Sequence, residues 1–277
     1  MPIRFCAYQY QNRPLPELDE RWRRAGELGF DVLWNVDTVI DPDRARSTMF
    51  DGPATLTAMA LRTQRIRIGT LVTSLDFRSP VTASKAAVTV DHLSNGRLEL
   101  ALGVGDPSAG EGPSGVSWSA GERVRRFDEL ADLLDRLLTN EVTTFDGEFY
   151  RCLEAETVPK MLEIAARRAD ARSSWGGYGI ENEEQMFAVT RDRSLRLDDL
   201  CFAEGRDPTA MRRSLCVFAP LTPWESTEYF PDMVGWYGAI GIDEFVLYWP
   251  KTWRDAPHED PVFERVCADV LPSLRGP

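Results

Sequence analysis

At 277 residues, with 43% hydrophobic side chains including eight Trp and thirteen Phe, the chain is long enough for one large α/β domain with a sizeable core. Its formal net charge of −12, with only three lysines (Lys85, Lys160, Lys251) and no run of Lys or Arg, argues against a general role on nucleic acid or anionic membranes. Five scattered cysteines (Cys6, Cys152, Cys201, Cys216, Cys267) without a CxxC pair read as reduced thiols, and neither a signal peptide nor a membrane span of roughly 20 apolar residues is visible. A soluble, cytoplasmic protein is the expectation.

Ile3–Gln9 reads as the first strand. After the loop Arg13-Pro14-Leu15-Pro16, the residues Leu18, Trp22, Ala25 and Leu28 fall on one helical face, and Gly29 ends that helix. Val32–Asp37 forms a second strand, Asp41–Asp51 a polar loop, and Asp51-Gly52-Pro53 begins a helix carrying Leu56, Met59 and Ala60. Ile66, Ile68, Leu71 and Val72 make an apolar run without clean alternation, as in a strand buried on both faces. Ser79-Pro80 then opens a helix, with Ser as cap and Pro at the first helical position. That helix stops at Asn95-Gly96, a left-handed C-terminal signal. Leu98, Leu100, Leu102 and Val104 make the next buried strand, interrupted and followed by Gly103 and Gly105. Two buried strands joined by one helix form a right-handed βαβ unit, around which the chain is organised.

Residues 104–120 are a Gly/Pro/Ser-rich loop lacking both GxxxxGK[ST] and GxGxxG spacings, so it reads as an active-site loop and not a phosphate fingerprint. Gly121–Leu138 is an amphipathic helix expected to turn Val124, Phe127, Leu130, Leu134 and Leu137 inward. Phe145–Tyr150 contains a turn. Farther on, Ala171–Trp175 is a short strand, Glu181–Glu204 a long helix, Arg213–Ala219 a strand, Thr227–Ile240 a helix and Gly241–Pro250 the last strand, before a closing helix with Phe263, Val266, Val270 and Leu271. That gives seven strands. With His92 and His258 the only histidines, the sequence argues against both a His-based triad and a His/Cys metal site, and no metal is expected.

The ordered set GTLVT, Arg78-Ser79-Pro80, DHLSNGR and LELALGVG, together with AGELGFDVLWNVDT and GERVRRFDELADLLDRLL, resembles the luciferase-like monooxygenase family. The resemblance implies a single TIM (β/α)8 barrel over residues 1–277, binding FMN or the deazaflavin coenzyme F420. F420 is preferred, because an Arg-rich, Lys-poor sequence suits lineages that use it. It further implies a flavin- or deazaflavin-dependent oxidoreductase or monooxygenase acting on a small organic substrate, usually as a homodimer. The coenzyme carries the redox chemistry, so no dedicated nucleophile is required. Carried over position by position, the candidate coenzyme contacts are Asp37, Val72, Thr73, Ser74, Gly103, Val104, Gly105, Asp106, Ser173 and Trp175. Ordinary loop or capping roles stand beside that reading for Asp37, Thr73 and Ser74, and wall packing for Trp34 and Trp175. A non-prolyl cis peptide is implied within Val72–Leu75. Where family members often have Asp-His, this chain has Asp37-Thr38.

After Val158 the resemblance breaks, because a strand and a glycine-rich turn expected before Lys160–Asp170 are missing from the sequence. Two accounts stay open: the protein lacks the segment, or the sequence omits a stretch of the native chain. The same gap supports an alternative function, a non-catalytic flavin-binding protein or partner subunit.

Overall fold

The computed structural model describes residues 2–38, 49–74, 78–105, 115, 117–156, 171–174, 179–203, 205–250 and 260–275. In chain order the elements are β1 (Arg4–Tyr8), α1 (Leu15–Glu27), β2 (Val32–Asn35), α2 (Gly52–Arg62), β3 (Arg67–Ser74), α3 (Pro80–Ser94), β4 (Leu98–Gly103) and α4 (Ala120–Thr139). There follow β5 (Val142–Asp146), β6 (Arg151–Glu156), β7 (Ala171–Ser174), α5 (Glu183–Ala203), β8 (Arg212–Val217), α6 (Tyr229–Gly238) and β9 (Glu244–Tyr248). A closing helical run, α7, covers 261–274 and includes a π-turn at Val266–Val270. Two compact units result: Met1–Tyr8, Glu27–Val32 and Ala169–Pro277 form one, and Gln9–Gly26 with Leu33–Arg168 the other.

In the first unit the strands run in the order β1-β9-β8-β7, all parallel. Its core is an aromatic chain. Phe5 lies against Phe245 and Phe230, Phe230 stacks on Trp224 at 5.8 Å, and Trp224 meets the edge of Phe263 at 4.8 Å. Rings in such stacked, tilted and edge contacts add roughly 0.5–1.5 kcal/mol each beyond their area burial.

In the second unit β4-β3-β2 are neighbours, and β3 and β4 pair in parallel with a register shift between Thr70 and Thr73. The helix between them forms as its sequence dictates, with Pro80 in the first turn and Asn95 and Gly96 both left-handed at φ 60° and 80°. Arg97 follows at once. Its guanidinium donates to Ala60 O, Thr63 O, Thr63 Oγ1, Ile66 O and Ser94 O at 2.7–3.0 Å, closing the C-terminal ends of α2 and α3. Backbone carbonyls left over at both helix ends thereby find a cationic partner.

Two features differ from the sequence reading. Val124 on α4 is 61% exposed instead of inward, while Leu130, Leu134 and Leu137 are buried. At about 100° per residue, Val124 stands roughly 120° from Leu130 around the helix, outside the stripe; Arg123 is buried nearby. The segment around Phe145–Tyr150 is the tip of an antiparallel hairpin, β5-β6, which periodicity did not reveal. Its turn is held by Glu129, whose carboxylate accepts the backbone N–H groups of Glu148, Phe149 and Tyr150. Seven parallel strands are present among the described residues, at the seven places expected. The break after Val158, the loop tip 106–114, Gly176-Gly177 and His258 lie outside the described residues. No helix among the described residues is long and apolar enough to cross a membrane.

Candidate functional site

Parallel α/β sheets gather binding groups at the carboxyl ends of their strands. In the second unit those ends are Val36-Asp37-Thr38, Thr73-Ser74 and Gly103-Val104-Gly105, with Ser74 directly beside Gly103. The Leu71–Val72 peptide bond is cis and non-prolyl. The expectation placed such a bond within Val72–Leu75, and the structure sets it one peptide bond earlier. At the same point Val72 swings across β4. A Cβ on Gly103 would lie 2.2 Å from Val72 Cγ2, so only glycine at 103 leaves room for the Val72 side chain. Gly69 has a similar role lower in the strand, where Trp34 packs flat against its Cα. The six-membered part of the Trp34 indole thereby packs against the sheet at Gly69.

Asp37 is the hub of a network at these strand ends. Its side chain is only 1% exposed. It accepts Arg78 Nη2 on Oδ1 at 2.6 Å, Arg78 Nε on Oδ2 at 3.0 Å and Ser74 N on Oδ2 at 3.1 Å. The same guanidinium reaches Asp51, which caps α2 by accepting Ala54 N at 3.0 Å. Hydrogen bonding to Asp37 raises the Arg78 pKa further, against partial burial, so the cation persists at every accessible pH. Partial burial pushes the Asp51 carboxyl up, but hydrogen bonds from Arg78 and Ala54 N outweigh it and hold the group below its usual range. Below this layer Thr70 Oγ1 donates to Asn35 Oδ1 at 2.7 Å, and Asn35 Nδ2 donates to Gly52 O at 2.8 Å. Gln11 fastens the other side, donating to Val36 O and to Phe50 O.

The structure therefore brings Asp37, Val72, Thr73, Ser74 and Gly103 together, with Val104 and Gly105 following in the chain. Thr73 also lines a cavity of about 80 Å³ bounded by α2 and α3, together with Thr70, Leu56 and Ala83. That space is well below the roughly 300 Å³ of the smaller ligand pockets. Asp106 and Trp175 lie outside the described residues. Ser173 belongs to the other unit, on β7, where its hydroxyl meets Cys216 Sγ at 3.4 Å. Burial pushes the Cys216 thiol up to about 11, opposed by the Ser173 hydrogen bond and reinforced by Glu244, so it is a poor nucleophile at neutral pH. Sequence reasoning missed Arg78 as the partner of Asp37, although its Arg-x-Pro setting was visible; nothing local in the sequence signalled Asn35, Thr70 or Gln11.

Two further groups at β1 and β2 were not anticipated. The Gln9 side chain is 4% exposed, yet neither its amide oxygen nor its nitrogen is hydrogen-bonded, and the buried Trp34 indole Nε1 also has no acceptor. The Gln9 backbone N–H donates to Trp34 O at 3.0 Å, so the two residues lie on neighbouring strands. Buried polar atoms without partners are uncommon, and an amide and an indole N–H together present one acceptor and two kinds of donor.

The family model described as luciferase-like monooxygenase matches residues 1–193. The F420-dependent glucose-6-phosphate dehydrogenase of Intrasporangium calvum is 29% identical, over 94% of this chain and 95% of its own length. That alignment runs over 329 positions against the 277 residues here, so the relative holds stretches without a counterpart. Two solved structures share the fold. The coenzyme F420-dependent tetrahydromethanopterin reductase of Methanopyrus kandleri has a TM-score of 0.76 at 13% identity, covering 99% of this chain and 100% of that one. The oxygenating constituent of 3,6-diketocamphane monooxygenase of Pseudomonas putida, in complex with FMN, has a TM-score of 0.71 at 10% identity, covering 98% and 99%.

Proposed function

The chain belongs to the luciferase-like monooxygenase family, and from that premise we propose that it is an F420-dependent oxidoreductase acting on a small organic substrate. The observation that carries the reading is the set of strand ends where Val72 crosses Gly103 beside Ser74, under the Asp37–Arg78 pair. F420 is favoured over FMN by the full-length relative that uses it. Both coenzymes have a pyrimidine edge of alternating carbonyls and N–H, and the unpaired Gln9 amide offers the matching acceptor and donor. The residues present fit such a group.

Bound F420 would supply two-electron hydride transfer to or from the substrate. The chain's own part is positioning. Gln9 and Trp34 Nε1 would satisfy polar atoms of the coenzyme, while Val72, Thr73, Ser74, Gly103, Val104 and Gly105 would support it from the strand ends. Asp37, fully engaged by Arg78 and Ser74 N, would act by fixing the Ser74 backbone and not by direct contact. Asp106, Ser173 and Trp175 remain candidate contacts on the resemblance alone. A single (β/α)8-type domain, a homodimer and a cytoplasmic location belong to the same proposal.

A second reading, a non-catalytic flavin-binding member or partner subunit, is favoured by one observation: stretches of the Intrasporangium relative have no counterpart here. The absence of a strand and turn after Val158 is part of that reading. Equilibrium binding of F420 and of FMN to the purified chain, with intact mass measured on the same sample, separates the two. Tight F420 binding and F420-linked turnover support the enzyme. Binding of neither coenzyme at 31.3 kDa would overturn it.

A further inference from the structure

The parallel sheet of the first unit has two faces of different make. Phe5 and Phe245 belong to the face covered by α6, where Phe5 meets Phe230 at 5.9 Å. Side chains alternate between faces along a strand, so Cys6, Val246 and Cys216 form a row on the other face. One step nearer the carboxyl ends, the next row on that face is Tyr8, Tyr248 and Phe218. The lower row is closed, with Cys6 and Val246 both 0% exposed. The ring row opens from a buried Tyr8 to a half-buried Tyr248 and Phe218. Carboxyl ends of parallel strands are where such sheets gather ligand-binding groups, and partly exposed rings are typical of their linings.

The three rings are held in place from behind. Tyr8 and Tyr248 lie 4.5 Å apart between centroids, and Phe218 meets Tyr248 at 5.5 Å and 64°. Trp249 N donates to Tyr8 O at 3.3 Å, Trp224 Nε1 to Tyr248 O at 3.0 Å and Leu221 N to Phe218 O at 3.0 Å. Trp224 is itself packed by Phe230 and Phe263, so the support reaches into the core. A fixed ring offers a negative face and a positive edge, which a further ring matches and an alkyl chain does not. Because the row is already ordered, a planar ligand meets it without the cost of fixing loose side chains. Gln9, the amide proposed above to meet the coenzyme, is the next residue after Tyr8.

We propose that Tyr8, Tyr248 and Phe218 form a substrate subsite, and that the substrate carries an aromatic ring seated on that row. The inference rests on the oxidoreductase reading above and names the class of its small organic substrate. Ligand-observed NMR titration of the full chain with benzyl alcohol and with n-heptanol tests it. The two alcohols have equal carbon counts, and hydrophobic transfer alone favours heptanol, whose apolar surface is larger. Benzyl alcohol is nevertheless expected to bind more tightly. F218L and Y248L keep an apolar side chain but remove the ring, and each should weaken benzyl alcohol by about fivefold while moving heptanol by less than about twofold. Thermal midpoints of both variants are read beside the titrations and are expected to stay close to that of the unmodified chain. Benzyl alcohol bound no tighter than heptanol, or not at all, overturns the subsite, as do variants that weaken both alcohols alike. F420 binding is measured on the same samples and expected to be unchanged in the variants. F420 binding without a preference for benzyl alcohol overturns this inference alone, whereas the preference without F420 binding supports the ring row and overturns the coenzyme reading.

Discussion

Arg78 holds Asp37 through two nitrogens on two different carboxylate oxygens, at 2.6 and 3.0 Å, and thereby joins the loop before α3 to the end of β2. The carboxylate is almost wholly buried, so the pair behaves as a closed polar unit whose members are costly to separate. Replacing Asp37 by Ala leaves the guanidinium partly buried without this partner and frees Ser74 N. We expect D37A to lose about 3–5 kcal/mol of stability in urea unfolding. R78K, which keeps the charge but cannot reproduce the fork, should lose less stability yet weaken F420 binding by shifting Ser74.

The acid limb of stability should depend on Asp51. Its folded-state pKa lies below the ordinary 3.8, so the stabilisation is fully present well above 3.8 and is lost as pH falls through the folded value. Thermal midpoints followed from pH 6 to pH 2.5 should therefore fall less steeply in D51N than in the unmodified chain. An identical slope in the two proteins would rule Asp51 out as a contributor.

Gly103 can be examined by filling the space it leaves. A methyl group there collides with Val72, so G103A should cost about 1–3 kcal/mol and depress coenzyme affinity. The double variant V72A/G103A removes the collision and should regain most of the stability. Affinity should return only in part, because the Val72 surface is then gone. Isothermal titration with F420 beside urea unfolding reads both.

Gln9 gives a test with opposite signs. An unpaired buried amide costs roughly 1–3 kcal/mol, and an apolar side chain of similar shape avoids that cost. Q9M is accordingly expected to leave the ligand-free protein as stable or more so, while the gain in thermal midpoint on adding F420 shrinks. Loss of stability in the free protein with an undiminished F420 effect would remove Gln9 from the site.

The local elements could be read because their causes are local. Pro80 in a first helical turn, Asn95-Gly96 in the left-handed region and the unalternating run at Ile66–Val72 each act through their own backbone and neighbours. The strand ends carrying Ser74 and Gly103 followed from those elements and from the family resemblance. Illegible were the groups whose roles are set by residues far away in the chain. Asn35 answers to Gly52 and Thr70, Gln11 to Val36 and Phe50, and Glu129 to a hairpin turn some twenty residues on. Val124 shows the converse error, an apolar residue assigned to a face from its type when its angle on α4 places it in solvent.

The five acceptors around Arg97 separate build from chemistry. The most recognisable run of this chain, Leu93-Ser94-Asn95-Gly96-Arg97, ends in a side chain that ties off two helices where α3 gives way to β4. The candidate chemistry sits at the other end of β4, beyond Gly103. The run therefore serves the build of the chain, and its chemistry is decided elsewhere. What this chain does has to be sought among Gln9, Asp37 and Arg78, away from that knot.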